Sequence, residues 1–143
     1  MMQEEKGVPV QKIFLSYSAK DREQGSVLRQ LLSQSSNVEI FTSGSLSAGE
    51  GWEQRLRVEL SACDIFVLLL TPHALASSWV LHELGAAWGL DKSIIVVSTN
   101  RELIGRAPLG LKPELFVDFN QLENPEFVQH LLKLKGCEQE TVA

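Results

Sequence analysis

The pair of residues with the clearest chemical potential is Trp79 and Glu83, four residues apart in the stretch SSWVLHELGAAW from Ser77 to Trp88. At about 3.6 residues per turn, that spacing sets the indole one turn before the carboxylate on the same side of a helix. Val80, Leu81, Leu84, Ala87 and Trp88 form the apolar stripe of this helix, and Trp79, Glu83 and Ala86 fall beside it. Ser77 or Ser78 supplies the N-cap. A carboxylate at the border of a buried face, next to a large aromatic, can be held partly dry, and desolvation is one way an acid acquires a chemical task. The plainer alternative is an acid favoured by the helix macrodipole beside a packing Trp.

Other chemistries find less support. His73, His82 and His130 are scattered, and neither Cys63 nor Cys137 joins them at metal-ligand spacing, so no metal site is expected. Ser16, Ser18, Ser77 and Ser78 lack a nucleophile-elbow context and read as caps and turns. Gly44, Gly49 and Gly51 make neither GxGxxG nor a phosphate loop. Their segment, Thr42 to Gly51, reads as a mobile flap or contact surface, or as a plain connection. Trp52 and Trp88 read as core or helix-packing residues. A net charge of −5 argues against nucleic acid as a direct partner. Met1 to Gln11 is polar, without the apolar core of a signal peptide, and the apolar run Ile65 to Leu70 is far too short to span a bilayer. A reduced, cytoplasmic setting without membrane contact is therefore expected.

The elements that must position Trp79 and Glu83 are legible in order. Strands are predicted at Lys12 to Tyr17, Val38 to Phe41, Asp64 to Thr71, Ser93 to Ser98 and Glu114 to Val117. Ser18 with Asp21, or Asp21 with Gln24, starts a helix whose stripe is Val27, Leu28, Leu31 and Leu32. Trp52, Leu56 and Leu60 mark a second helix. Asn124-Pro125 opens a last one, with Phe127, Val128, Leu131 and Leu132 as its stripe and Gly136 at its end. The alternation predicts an α/β fold: a doubly wound parallel five-stranded sheet with helices on both faces. The domain spans 12–136, between a flexible segment 1–11 and a flexible tail 137–143. With a flavodoxin-like order 2-1-3-4-5, the ligand crevice lies between the first and third strands. Ser16 to Asp21 then lines one side and Thr71 to Glu83 the other.

These residues together resemble a TIR (Toll/interleukin-1 receptor) domain of bacterial type, over about Lys12 to Val97. KIFLSYSAKD resembles the family's first box, and SAGEGWEQRL resembles the end of its BB loop and the following helix. DIFVLLLTPHALASSWVLHEL resembles its central strand, loop and next helix. Trp79-x-x-x-Glu83 matches the WxxxE pattern of TIR domains that cleave NAD⁺. The Phe-Trp third box of receptor TIRs is absent, with FVDF at Phe116 to Phe119 in its region.

The resemblance implies an NAD⁺ glycohydrolase that breaks the nicotinamide–ribose bond, giving ADP-ribose or a cyclic isomer, in bacterial antiphage defence or NAD⁺ depletion. NAD⁺ would be the substrate, and no cofactor is implied. It implies Glu83 as the catalytic acid and Trp79 as a wall of the site. Phe14, Ser16, Tyr17, Ser18, Asp21 and Thr71 would border the substrate. The loop with Ser43, Gly44, Ser45, Leu46, Ser47 and Gly49, together with Trp52, would contact other TIR domains in self-assembly. A fused or separate sensor is a further implied partner. The chemistry agrees, because a carboxylate near the ribose stabilises an oxocarbenium-like state while nicotinamide leaves as a neutral ring. Asp21 and Glu53 are fallback acids, with a cap and a solvated helix position as their plain readings. The rival function is a non-catalytic TIR scaffold acting by homotypic interaction, and a weaker third is a nucleoside-processing enzyme of related architecture.

Overall fold

The computed structural model describes residues 10–34, 37–45, 51–108, 111 and 115–142. Five parallel strands, β1 (Gln11–Ser16), β2 (Val38–Thr42), β3 (Ile65–Leu70), β4 (Ser93–Ser98) and β5 (Phe116–Asp118), form one sheet in the order β2-β1-β3-β4-β5. The helices are α1 (Arg22–Leu32), α2 (Trp52–Ala62), the single turn α3 (Pro72–Leu75), α4 (Ser78–Gly89) and α5 (Pro125–Val142). The predicted strand order is the one observed. The chain reverses its winding between β1 and β3, which places a crevice at their C-terminal ends.

β3 is buried along its whole length, as its unbroken apolar sequence requires of a strand covered on both faces. The two-residue alternation of β1 then sorts its side chains into two cores. Ile13 and Leu15 join Leu28, Leu32, Val128 and Leu132 beneath α1 and α5. Phe14 joins Leu60, Phe66, Val80, Leu84 and Ala87 on the face covered by α2, α3 and α4. Ser16 is the next residue on that second face, and it is buried where the apolar core gives way to the crevice.

Three helical expectations are corrected. On α1, Val27 is exposed, and the buried positions are Gly25, Leu28 and Leu32. Gly25 belongs to the buried face because the Tyr17 ring lies over it, so close that a Cβ there would meet it at 2.6 Å. On α4, the buried stripe is Val80, Glu83, Leu84 and Ala87, while Leu81 and Trp88 are exposed. The helix is thus rotated to turn Glu83 inward at the expense of two large apolar residues, so Trp88 is not a core residue. Finally, α5 does not end at Gly136 but continues to Val142. Glycine costs a helix interior about 1 kcal/mol relative to alanine, which weakens a helix without stopping it. The fifth strand occupies Phe116–Asp118, and the predicted start at Glu114 lies outside the described residues. Asn124 caps α5 as predicted, its Oδ1 accepting from the Glu126 amide at 3.0 Å.

Candidate active site

Glu83 lies one turn into α4, whose first turn is capped by the Ser77 hydroxyl accepting from the Val80 amide at 3.2 Å. The side chain is 2% exposed. Its Oε1 accepts a hydrogen bond from Ser16 Oγ at 2.6 Å, tying α4 to the last residue of β1. Its Oε2 is buried with no hydrogen-bond partner among the described residues. Burial pushes the Glu83 carboxyl above its ordinary value, and the Ser16, Ser43 and Trp79 donors counter this in part. Ser43 and Trp79 stand close enough to favour the charged form, yet neither makes a well-formed bond to Oε2. An acid with one free, dry oxygen is costly to keep in a core, so it is a natural candidate for function.

Trp79 is 40% exposed and bordered by two side chains from the region after β2. Its indole N–H donates to Ser43 Oγ at 3.1 Å, and its ring packs on Trp52 with centroids 5.3 Å apart at 45°. Trp52 is therefore a neighbour of the acid's aromatic partner rather than a member of either core. Ser43 opens a short 3-10 turn, Ser43–Ser45, in which Gly44 is exposed. Leu46, Ser47 and Gly49 of the expected interaction loop lie outside the described residues.

Across the crevice, Asp21 follows β1 in the 3-10 turn Ala19–Asp21. It is 8% exposed and makes no cap to α1. Instead its Oδ2 accepts from Thr71 Oγ1 at 2.5 Å and its Oδ1 is 2.9 Å from His73 Nδ1. Thr71 also caps α3, accepting from the Ala74 amide at 3.0 Å. Ser18 caps its own turn, accepting from the Lys20 amide at 3.2 Å.

The structure therefore brings Ser16, Ser43, Trp79 and Glu83 into one cluster, and Asp21 and Thr71 into a second at the same strand ends. It does not bring Tyr17 to Glu83, because Tyr17 packs on the α1 and α5 side of the sheet. Phe14 is wholly buried beneath the cluster, stacked on Phe66 at 5.5 Å and tilted against Phe41 at 5.3 Å. Glu53 is exposed in a surface hollow along α2, with Arg57 and Val58, none of whose walls belongs to the Glu83 cluster. No group of three or more His, Cys, Asp or Glu side chains among the described residues is placed to hold a metal ion. The residue that sequence reasoning passed over is His73. Its signal was position, two residues past the central strand at the crevice, rather than any spacing to another histidine.

Among curated proteins no sequence matches the chain. Solved structures share the fold, two of them as follows. One is the TIR domain of the Toll-related receptor TRR-2 from the lower metazoan Hydra magnipapillata, 14% identical, with a TM-score of 0.57 over 86% of this chain and 96% of that one. The other is the CMP N-glycosidase BcmB of Clostridium botulinum, 16% identical, with a TM-score of 0.52 over 87% of this chain and 99% of that one. The family model for the TIR domain matches residues 13–132. With that match over most of its length, on a five-stranded parallel sheet of order 2-1-3-4-5, the chain belongs to the TIR domain family.

Proposed function

We propose that this TIR domain is an NAD⁺ glycohydrolase in which Glu83 stabilises the ribosyl cation as nicotinamide departs. The observation that carries the reading is the buried Oε2 of Glu83, without a hydrogen-bond partner among the described residues, on a side chain anchored to β1 by Ser16 at the crevice edge. A carboxylate in a dry site acts on developing positive charge far more strongly than one in water. Oε1 is held by Ser16, which leaves Oε2 to face the anomeric carbon or a ribose hydroxyl. Nicotinamide leaves as a neutral molecule, so its departure asks for no proton donor. Substrate enters when Trp79 and Ser43 part, and the indole then forms a wall of the open site. The product is ADP-ribose or its cyclic isomer, and the consequence is NAD⁺ depletion or a nucleotide signal, as in antiphage defence.

A second reading, a non-catalytic scaffold acting through homotypic TIR contacts, is favoured by one observation. Leu81 and Trp88, seven residues apart on one side of α4, both stand exposed.

The deciding experiment offers NAD⁺ and, separately, CMP to the purified chain, concentrated or immobilised to promote assembly, with Glu83→Gln alongside. Nicotinamide release by the native protein and none by the variant supports the proposal. Cytosine release in its place moves the substrate to a nucleotide N-glycoside. Self-association with neither product establishes the scaffold.

A further inference from the structure

The Asp21–His73 pair has a geometry that the role of Glu83 does not use. Asp21 lies beyond β1 and His73 beyond β3, so the pair bridges the two strands that flank the crevice. A carboxylate accepts and does not donate, so in the neutral ring the Asp21 contact at 2.9 Å places the proton on Nδ1 and the lone pair on Nε2. Thr71 holds the other carboxylate oxygen and fixes Asp21 in place. The His73 side chain is 52% exposed while that of Asp21 is 7% exposed, so a half-exposed ring is anchored by a buried carboxylate at the strand ends that flank the crevice.

We propose that His73 Nε2 is the base that takes the proton of the attacking water, with Asp21 as its positioning residue; this rests on the glycohydrolase reading of Glu83. The bond from the ribose anomeric carbon to the nicotinamide nitrogen breaks, and its electron pair leaves with neutral nicotinamide. A water oxygen bonds to that carbon, and the water must lose a proton. Glu83 is engaged by Ser16 and the ribose, so the proton passes to His73 Nε2 and from there to solvent. The overall change is NAD⁺ plus water to nicotinamide, ADP-ribose and one proton.

One consequence separates this role from a structural one. A pyridine base attacks through its nitrogen lone pair and has no proton to lose, so exchange of bound nicotinamide for labelled nicotinamide needs Glu83 but not His73. The test compares ADP-ribose release with labelled-nicotinamide incorporation into NAD⁺ in the full chain. For His73→Gln, hydrolysis falls about 100-fold, the scale of general-base catalysis, and exchange persists. Glu83→Gln loses both. Parallel loss of both reactions in His73→Gln, or no loss of hydrolysis, overturns the role of His73 while leaving Glu83 intact. A native protein that performs neither reaction overturns the glycohydrolase reading instead. An activity-free readout decides the location of His73: NAD⁺ is titrated into Glu83→Gln while the His73 Cε1–H resonance is followed. Movement of that resonance places His73 at the bound ligand, and a resonance that stays fixed as other signals shift, or with no ligand bound at all, overturns the proposal.

Discussion

Two buried carboxylates stand at the C-terminal ends of β1 and β3, and they are treated in opposite ways. Asp21 has a partner for each oxygen, Thr71 and His73. Among the described residues Glu83 has one well-formed partner, Ser16, and its second oxygen has none, in a site that burial makes hostile to charge. A fully paired acid repays its burial through the groups it organises, whereas a half-paired one is a standing cost. The comparison separates an acid that builds the crevice from one that the proposed reaction would use. Mutations that break each acid in turn should therefore diverge between stability and activity.

The largest divergence is expected at Glu83. Glu83→Gln keeps an acceptor for Ser16 and removes the charge, so NAD⁺ cleavage should fall by about a thousandfold, the scale of losing one preorganised electrostatic group. Stability should move the other way. The folded-state pKa is raised above the unfolded value of about 4.3, so the folded protein binds this proton more tightly than the unfolded chain. Its contribution is full below that unfolded value and is lost as pH rises through the folded one. Melting curves across that window should show the native protein losing ground to Glu83→Gln, which gains a few degrees at neutral pH. The same direction of shift sets the expected activity profile: in the proposed reaction the ionised form works, so the acid limb of turnover should lie above the ordinary glutamate range. An acid limb at or below that range breaks the argument.

In stability Asp21 should behave as the inverse, while the release of His73 lowers hydrolysis as well. Asp21→Ala leaves the proton of the buried Thr71 hydroxyl without its acceptor and releases His73, at a cost of about 2 kcal/mol in chemical denaturation. If Asp21→Ala is instead stabilising, the two acids are alike and the comparison fails.

Much of this arrangement is legible in the sequence because it follows from periodicity. The unbroken apolarity of Ile65 to Leu70 announces a central strand, and Ser77 and the Asn124-Pro125 pair announce helix starts. The placement of Glu83 near the crevice follows from its helix position and from the strand order. What periodicity does not carry is rotation and cross-chain pairing. The apolar stripe of α4 places Leu81 and Trp88 inward, but the helix turns to bury Glu83, a choice made by a hydrogen bond to Ser16 from 67 residues away. Asp21 reads locally as a cap, yet its partners come from the far side of the sheet switch, 50 and 52 residues on. Tyr17 follows Ser16 in the sequence and packs on the opposite side of the sheet, because the pleat alternates.

Ser16→Ala acts on Glu83 through its anchor on β1. It removes the one well-formed hydrogen bond of Glu83 among the described residues, at a cost of about 1 kcal/mol. Because that donor holds the Glu83 pKa down, its loss pushes the value further up. The acid limb of NAD⁺ turnover should move to higher pH while the plateau at alkaline pH is largely kept. A uniform fall at every pH would mean that Ser16 contacts substrate rather than tuning the acid.

The smallest effect is expected at Ser43. Its hydroxyl receives the indole N–H of Trp79, a side chain 40% exposed, so in Ser43→Ala water replaces the partner and stability changes by less than about 0.5 kcal/mol. The functional signature is nonetheless distinct. Trp79 remains packed on Trp52 but loses the contact that ties it to the segment after β2, so the way to Glu83 opens more easily. KM for NAD⁺ should fall by about twofold, the scale expected when a weak exposed hydrogen bond of a few tenths of a kcal/mol no longer opposes entry. Ser43 also helps hold the Glu83 carboxylate in its charged form, so the acid limb should rise slightly, in the same direction as for Ser16→Ala and by less. A lower KM together with a small upward move of the acid limb identifies Ser43 as both latch and tuner. A higher KM would assign it to the substrate, and the cluster around Glu83 would then be a binding surface that is already open.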